Sequence, residues 1–133
     1  MKISKEHNLK NSKLQGAEIL CIGSELLLGN IVNTNAAWLA EQLTILGIGH
    51  FRQTVIGDNP FRLKEVIIEA SNRARILITT GGLGPTSDDI TTEVIAEAFN
   101  TPLEERNEIL IDLKNKLRNR NRRLSTSQKK QCL

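Results

Sequence analysis

A chain of 133 residues is long enough for one domain with a core of its own, and 39% hydrophobic with 25% charged residues is ordinary for a globular protein. Aromatic residues make up only 3%, with one Trp and no Tyr, so the core must be aliphatic and aromatic platforms for stacking single-stranded nucleic acid are not expected. The net charge of +3 is uneven: eight of the 18 basic residues and none of the 15 acidic ones fall in 114–133, so the first 113 residues hold ten basic against 15 acidic and carry −5.

Residues 1–15, MKISKEHNLKNSKLQ, are polar, carry four lysines and show no apolar period, which predicts a disordered arm and no targeting signal. No apolar run approaches the roughly 20 residues of a membrane span. Cys21 and Cys132 are far apart and match neither a zinc spacing nor a disulfide framework, as expected of a protein in the reducing cytoplasm. Ala17 to Ile22 is a mostly apolar run that reads as the first strand, ended by Gly23, and Ser24 to Gly29 reads as its loop. Asn33, Thr34 and Asn35 are cap-type residues before Ala36, Leu39, Ala40, Leu43 and Leu46, which share one face of a helix over about 35–46, closed by Gly47. A second strand over His50 to Ile56 leads to Asn59, a cap, and Pro60, which suits the first helical position. The next helix has Leu63, Val66, Ile67 and Ala70 as its apolar face. Arg75 then opens a third strand containing Ile76, Leu77 and Ile78. Alternating strands and helices imply an α/β fold with a parallel sheet and right-handed crossovers.

The third strand runs into Gly81, Gly82, Gly84 and Pro85, and Thr86 stands three residues before Asp89 with Asp88 beside it. An apolar rhythm at Ile90, Val94, Ile95 and Ala98 follows, so a helix is expected to begin at this Thr–Asp spacing. A strand, a glycine turn and a helix start expose backbone N–H groups where phosphates bind. The loop lacks the Lys of a P-loop, and the dinucleotide fingerprint fails at its third glycine. Two readings stay open: Thr86 and Asp89 cap the helix, or the loop holds a phosphate whose cation the carboxylates accept.

In a parallel sheet the ligand crevice lies beyond the carboxyl ends of the strands. The loops there carry Ser24 and Glu25, then Asp58 and Asn59, then Thr86, Asp88 and Asp89, an acidic rim that suggests metal-assisted chemistry on a nucleotide-like phosphate. His7 and His50 lie in the arm and at a strand start, poor places for a catalyst. Thr101-Pro102 is expected to end the third helix, and Leu103 to about Asn119 forms another with Leu110, Leu113 and Leu117 in register. The basic stretch after it supplies no fourth strand. It reads as a solvated helix end plus an unsettled segment, with only generic attraction for nucleic acid. The domain is accordingly expected to be C-terminally incomplete, with an exposed sheet edge that favours a homo-oligomer.

Read as wholes, GAEILCIGSELLLGNIVNTNAAWLAEQL, QTVIGDN and ILITTGGLGPTSDDIT resemble the N-terminal domain of the competence/damage-inducible CinA family, part of the MoaB/MogA-like molybdopterin-binding superfamily. The resemblance spans roughly Gly16 to Leu133 and implies a three-layer α/β/α sandwich. It also implies a nucleotide or pterin-phosphate ligand approached by Gly81, Gly82, Gly84 and Asp89, with Asp58 as a second functional acid. Hydrolysis of the ADP-ribose pyrophosphate with a divalent Mg-type metal and potassium is the activity it implies, and the family's later segments, among them a Pro-Gly-x-Pro loop that completes the pocket, are missing. On this reading Asp58 and Asp89 are catalytic candidates, Asp58, Asp88 and Asp89 metal candidates, and Thr86, Ser24, Glu25 and Asn35 join the three glycines as nucleotide contacts. A module that binds without hydrolysis is the alternative, and an inactive fragment a third possibility.

Overall fold

The computed structural model describes residues 16–133, and the arm expected over 1–15 lies outside them. The chain divides into two compact units, one ending at Thr80 and the other covering Gly81–Leu133.

The first unit is a βαβαβ run. It contains β1 (Ala17–Ile22), a single helical turn α1 (Ser24–Leu27), α2 (Thr34–Ile45), β2 (His50–Ile56), α3 (Pro60–Arg73) and β3 (Ile76–Thr80). The three strands are parallel in the order β2-β1-β3. Central β1 is buried along its whole length, which is why it reads as an unbroken apolar run with one exception, Glu18. Alternation along the strand sends Ala17, Ile19 and Cys21 to one face, where they pack with Ala36 and Leu43 of α2. Glu18 points to the other face and meets Arg73 at the end of α3, a helix that buries Leu63, Ile67 and Ala70. The unit is therefore three-layered, as expected. The crossover from β1 to β2 and the one from β2 to β3 run in opposite directions along the sheet, so crossovers of one hand lay α2 and α3 on opposite faces.

Both long helices start where their cap residues indicate. The Asn33 side chain accepts the Ala36 N–H at 3.2 Å, and Asn59 accepts that of Arg62 at 3.1 Å with Pro60 next in line. Helix α2 begins at Thr34, one residue before the expected start. The Ser24 to Gly29 segment corrects the expectation of a plain loop: Leu28 N–H reaches Ser24 O at 3.1 Å and winds it into α1.

The second unit holds the glycine loop, α4 (Thr91–Ala98), α5 (Asn107–Arg118) and a 3-10 helix (Ser127–Cys132). Three expectations are corrected here. Helix α4 starts at Thr91 and not at the Thr86–Asp89 spacing, because Asp89 folds back on Thr86 to close a separate turn. It ends at Ala98, where Asn100 takes a positive φ of 51°. Helix α5 starts at Asn107, not Leu103, because the Arg106 N–H is spent on the Cys132 carbonyl at 2.8 Å. The basic tail is likewise ordered. Ser125 and Gln128 form a reciprocal capping box, with Ser125 N–H donating to Gln128 Oε1 at 3.0 Å and Gln128 N–H to Ser125 Oγ at 3.3 Å. The helix it opens buries Cys132 completely.

Among the described residues no helix is long and apolar enough to cross a membrane, and Cys21 and Cys132 are both free and buried.

Candidate functional site

In the first unit the strand order places the topological switch between the carboxyl ends of β1 and β3. Asn35, in the first turn of α2, reaches across there and donates from Nδ2 to Thr80 Oγ1 at 3.1 Å. The loops after β1 and β2 lock together. Ser24 N–H donates to Asp58 Oδ2 at 2.9 Å, and Asp58 N–H donates to Ser24 Oγ at 3.3 Å. A Cβ at Gly57 would stand 3.0 Å from Ser24 Oγ and 3.2 Å from Leu27 Cδ1, so a larger residue there would press on this pair. Glu25 folds back over Gly23, where a Cβ would meet its carboxylate at 2.6 Å. The structure thus brings Ser24 and Asp58 together as donor and acceptor. Asn59 is taken up by its capping role.

In the second unit the loop is built on two consecutive glycines in the left-handed region, Gly81 at φ 96° and Gly82 at φ 62°, where a Cβ would be strained. Thr91, fully buried, fixes both. Its hydroxyl donates to the Gly81 carbonyl at 2.8 Å and its N–H to the Gly82 carbonyl at 3.1 Å. No peptide bond here is cis, and in a trans peptide the N–H points opposite to the C=O. With the carbonyls of Gly81 and Gly82 turned toward Thr91, the N–H groups of Gly82 and Leu83 face away from it, and neither has an acceptor among the described residues. Thr91 was not anticipated from the sequence. The only signal is its place as the first helical residue after a glycine turn, where a hydroxyl has a carbonyl within reach.

The other loop donors are already engaged. The Thr86 hydroxyl and N–H donate to Asp89 Oδ2 at 2.6 and 2.8 Å, and the Gly84 N–H is directed at the same carboxylate. Gly84 is required for that approach: a Cβ would lie 2.5 Å from Asp89 Oδ2. The spacing that suggested a helix cap therefore makes a closed turn, and Gly84 and Thr86 turn their N–H groups inward. Asp88 is exposed and accepts a 3.3 Å bond from Ser87 Oγ. A hollow of about 310 Å³ beside the loop is walled by Leu83, Ile95, Ala96, Phe99, Pro102 and Leu103 with two threonines, and it offers a phosphate no charge.

The Thr86 hydroxyl, then the Thr86 and Gly84 N–H groups, and finally the Lys130 ammonium hold the Asp89 carboxyl below the ordinary carboxylate range. The charged form is thus favoured by folding. The turn's stabilisation is complete above the unfolded Asp value of about 3.9 and is lost as pH falls through the lower folded value. Following the Thr86 amide shift during an acid titration should give a midpoint below about 3.9, and a midpoint at or above it would show that Thr86 does not hold the carboxylate.

Carboxylate oxygens suit a hard cation such as Mg²⁺, which is commonly held by one or two carboxylates plus substrate phosphate oxygens. Among the described residues no group of three or more His, Cys, Asp or Glu is gathered for a metal. One or two of these carboxylates would leave the remaining ligands of such a cation to come from phosphate and water.

A family model described as a probable molybdopterin binding domain matches residues 18–129. The whole chain is 71% identical over 133 residues to a CinA-like protein of Prochlorococcus marinus (strain NATL1A), of which it covers 31%. A CinA-like protein of Synechococcus sp. (strain RCC307) is 63% identical over 118 residues, 89% of this chain and 28% of that protein. The chain thus spans under a third of the length of these relatives. Among solved structures, the crystal structure of the protein CinA with unknown function from Thermoplasma acidophilum is similar at a TM-score of 0.78 and 30% identity, over 90% of this chain and 69% of that one.

Proposed function

The chain belongs to the CinA-like members of the molybdopterin-binding domain family, and from that premise we propose that it binds a phosphate ester on its glycine loop. The ligand is the pyrophosphate of a nucleotide such as ADP-ribose or the phosphate of a pterin. The single observation behind this is the pair of outward N–H groups at Gly82 and Leu83, held in place because Thr91 occupies the carbonyls behind them. Two adjacent N–H donors on a left-handed glycine pair form a small anion-binding concavity. The Gly84 and Thr86 N–H groups serve Asp89, so their part in phosphate binding is to shape the loop.

We assign Asp58 and, separately, Asp88 and Asp89 as the carboxylates available to a divalent cation of the Mg type. When bound, such a cation neutralises phosphate charge. Asp58 and Asp89 are the candidates to accept a proton from water as it attacks phosphorus, which would split ADP-ribose into AMP and ribose phosphate. Ser24, Glu25 and Asn35 flank the carboxyl ends of β1 and β3 and are assigned to ligand contact. We place the protein in the cytoplasm, with free cysteines that suit a reducing compartment. We expect a homo-oligomer because strand β2 is an edge of the sheet among the described residues and presents an exposed Phe51. Nucleic-acid binding is expected to be only generic.

The test is calorimetric titration with ADP-ribose and with a pterin phosphate, with and without magnesium and potassium, alongside an assay for released AMP. Metal-dependent ADP-ribose binding with AMP release supports hydrolysis, binding of either ligand without AMP supports a binding module, and no binding of either overturns the reading.

A further inference from the structure

Lys130, in the basic tail, sends its Nζ back to the turn that follows the glycine loop. It donates to the Asp89 carbonyl at 2.8 Å and to the Thr86 carbonyl at 3.5 Å, and it pairs with Glu93 Oε1 of α4 at 2.9 Å. An ammonium group has three protons, and these are three acceptors. Two of them belong to the two ends of the Thr86–Asp89 turn and the third to the helix that follows. The turn is otherwise closed by the Thr86 N–H and hydroxyl on Asp89 Oδ2 at 2.8 and 2.6 Å, while its backbone carbonyls receive one long contact, Asp89 N–H to Thr86 O at 3.3 Å. The lysine of this clamp comes from far along the chain, on a 3-10 helix set by the Ser125–Gln128 box and by the Arg106–Cys132 bond.

We propose that Lys130 is a positioning residue of the phosphate loop: its ammonium group pins both ends of the Thr86–Asp89 turn to Glu93, so that folding of the 3-10 helix sets where the Asp89 carboxylate stands. The proposal rests on the reading of this loop as a phosphate site for its functional consequence, but not for its structural one. Lys130 is part of no ligand contact here, because its protons are directed at protein acceptors. Its side chain is 29% exposed, and Glu93 is 39% exposed, so the pair alone adds little to global stability. The clamp acts on a local opening, which is where a surface lysine with two carbonyl acceptors has leverage.

The experiment compares amide hydrogen exchange at Thr86 and Asp89, melting temperature and ADP-ribose affinity in the wild type, Lys130→Met, Lys130→Arg and Glu93→Gln. In Lys130→Met, exchange of the two amides should rise about tenfold or more and ADP-ribose should bind about tenfold more weakly, with a melting temperature near that of the wild type. Lys130→Arg should recover most of both, since a guanidinium can serve the carbonyls and Glu93 together. Glu93→Gln keeps the two carbonyl bonds and should raise exchange only about threefold, and it carries the comparison if Lys130→Met folds poorly. Wild-type exchange in Lys130→Met, or in Glu93→Gln should that variant have to stand in, overturns the proposal. Absence of ADP-ribose binding to the wild type overturns the phosphate reading instead, while the exchange comparison still decides whether Lys130 orders the turn.

Discussion

Arg73→Met should lower the melting temperature by about 10–15 °C, and adding Glu18→Leu to the same chain should restore most of it. Glu18 sits in the buried central strand with 3% of its side chain exposed, and Arg73 grips it with two bonds, Nε to Oε2 at 2.8 Å and Nη2 to Oε1 at 2.7 Å. Thr54 Oγ1 adds a longer bond at 3.4 Å and Glu69 a distant ion pair at 3.7 Å. The Arg73 guanidinium is held charged chiefly by its bond to Glu18, so no ordinary pH releases it. Removing Arg73 strands a carboxylate in the sheet, a loss of about 3 kcal/mol, at the lower end of what broken buried pairs cost because Arg73 keeps 32% of its side chain in solvent. At about 3–5 °C per kcal/mol for a domain of this size, the melting shift follows. Removing both charges in favour of apolar residues of similar volume is often neutral or stabilising. If the double variant melts as low as the single one, the pair is not the reason Arg73 matters.

Thr91→Val should cost about 1–3 kcal/mol, since it keeps the branched shape but leaves the Gly81 carbonyl without its 2.8 Å donor. The larger effect is expected on ligand binding. With the Gly81 peptide free to rotate, the Gly82 N–H no longer has a fixed direction, and affinity for ADP-ribose should fall by about tenfold to a hundredfold, or roughly 1.4–2.8 kcal/mol. Thr91→Ser keeps the hydroxyl and should recover most of the affinity while losing some packing. Melting curves and calorimetric titration of the three proteins separate these effects. Equal affinity in Thr91→Val and the wild type would show that the loop's orientation does not depend on this hydroxyl.

Much of the first unit was legible because its signals are local. The apolar run Ala17 to Ile22 stops at a glycine, His50 to Ile56 is followed by a cap and a proline, and both strands occur with those bounds. Glu18 gave no such signal: its partner is 55 residues away on the other crossover. In the second unit the Thr86–Asp89 spacing fits a helix cap and a closed turn equally well, and the choice depends on Gly84 letting the carboxylate approach. Leu103 carries the apolar rhythm of α5 but lies outside it, because Arg106 bonds to Cys132 near the chain's end. The ordered tail was announced by Ser125 and Gln128, a capping-box spacing hidden among basic residues whose charge pointed to a solvated segment. Gly81 and Gly82 turn the chain directly after β3, as the glycine run indicated. Thr91, which orients them, carries a side chain that any helix start would tolerate.

The most direct measurement is a titration of the ¹⁵N-labelled protein with ADP-ribose in the presence of magnesium, following the backbone amides. Binding at the glycine loop predicts that the Gly82 and Leu83 resonances shift most, in step with one dissociation constant, and that Thr91→Val needs about tenfold to a hundredfold more ligand to reach the same shifts. Saturable binding that leaves Gly82 and Leu83 unmoved, or no binding at all, would contradict the assignment of this loop as the phosphate site.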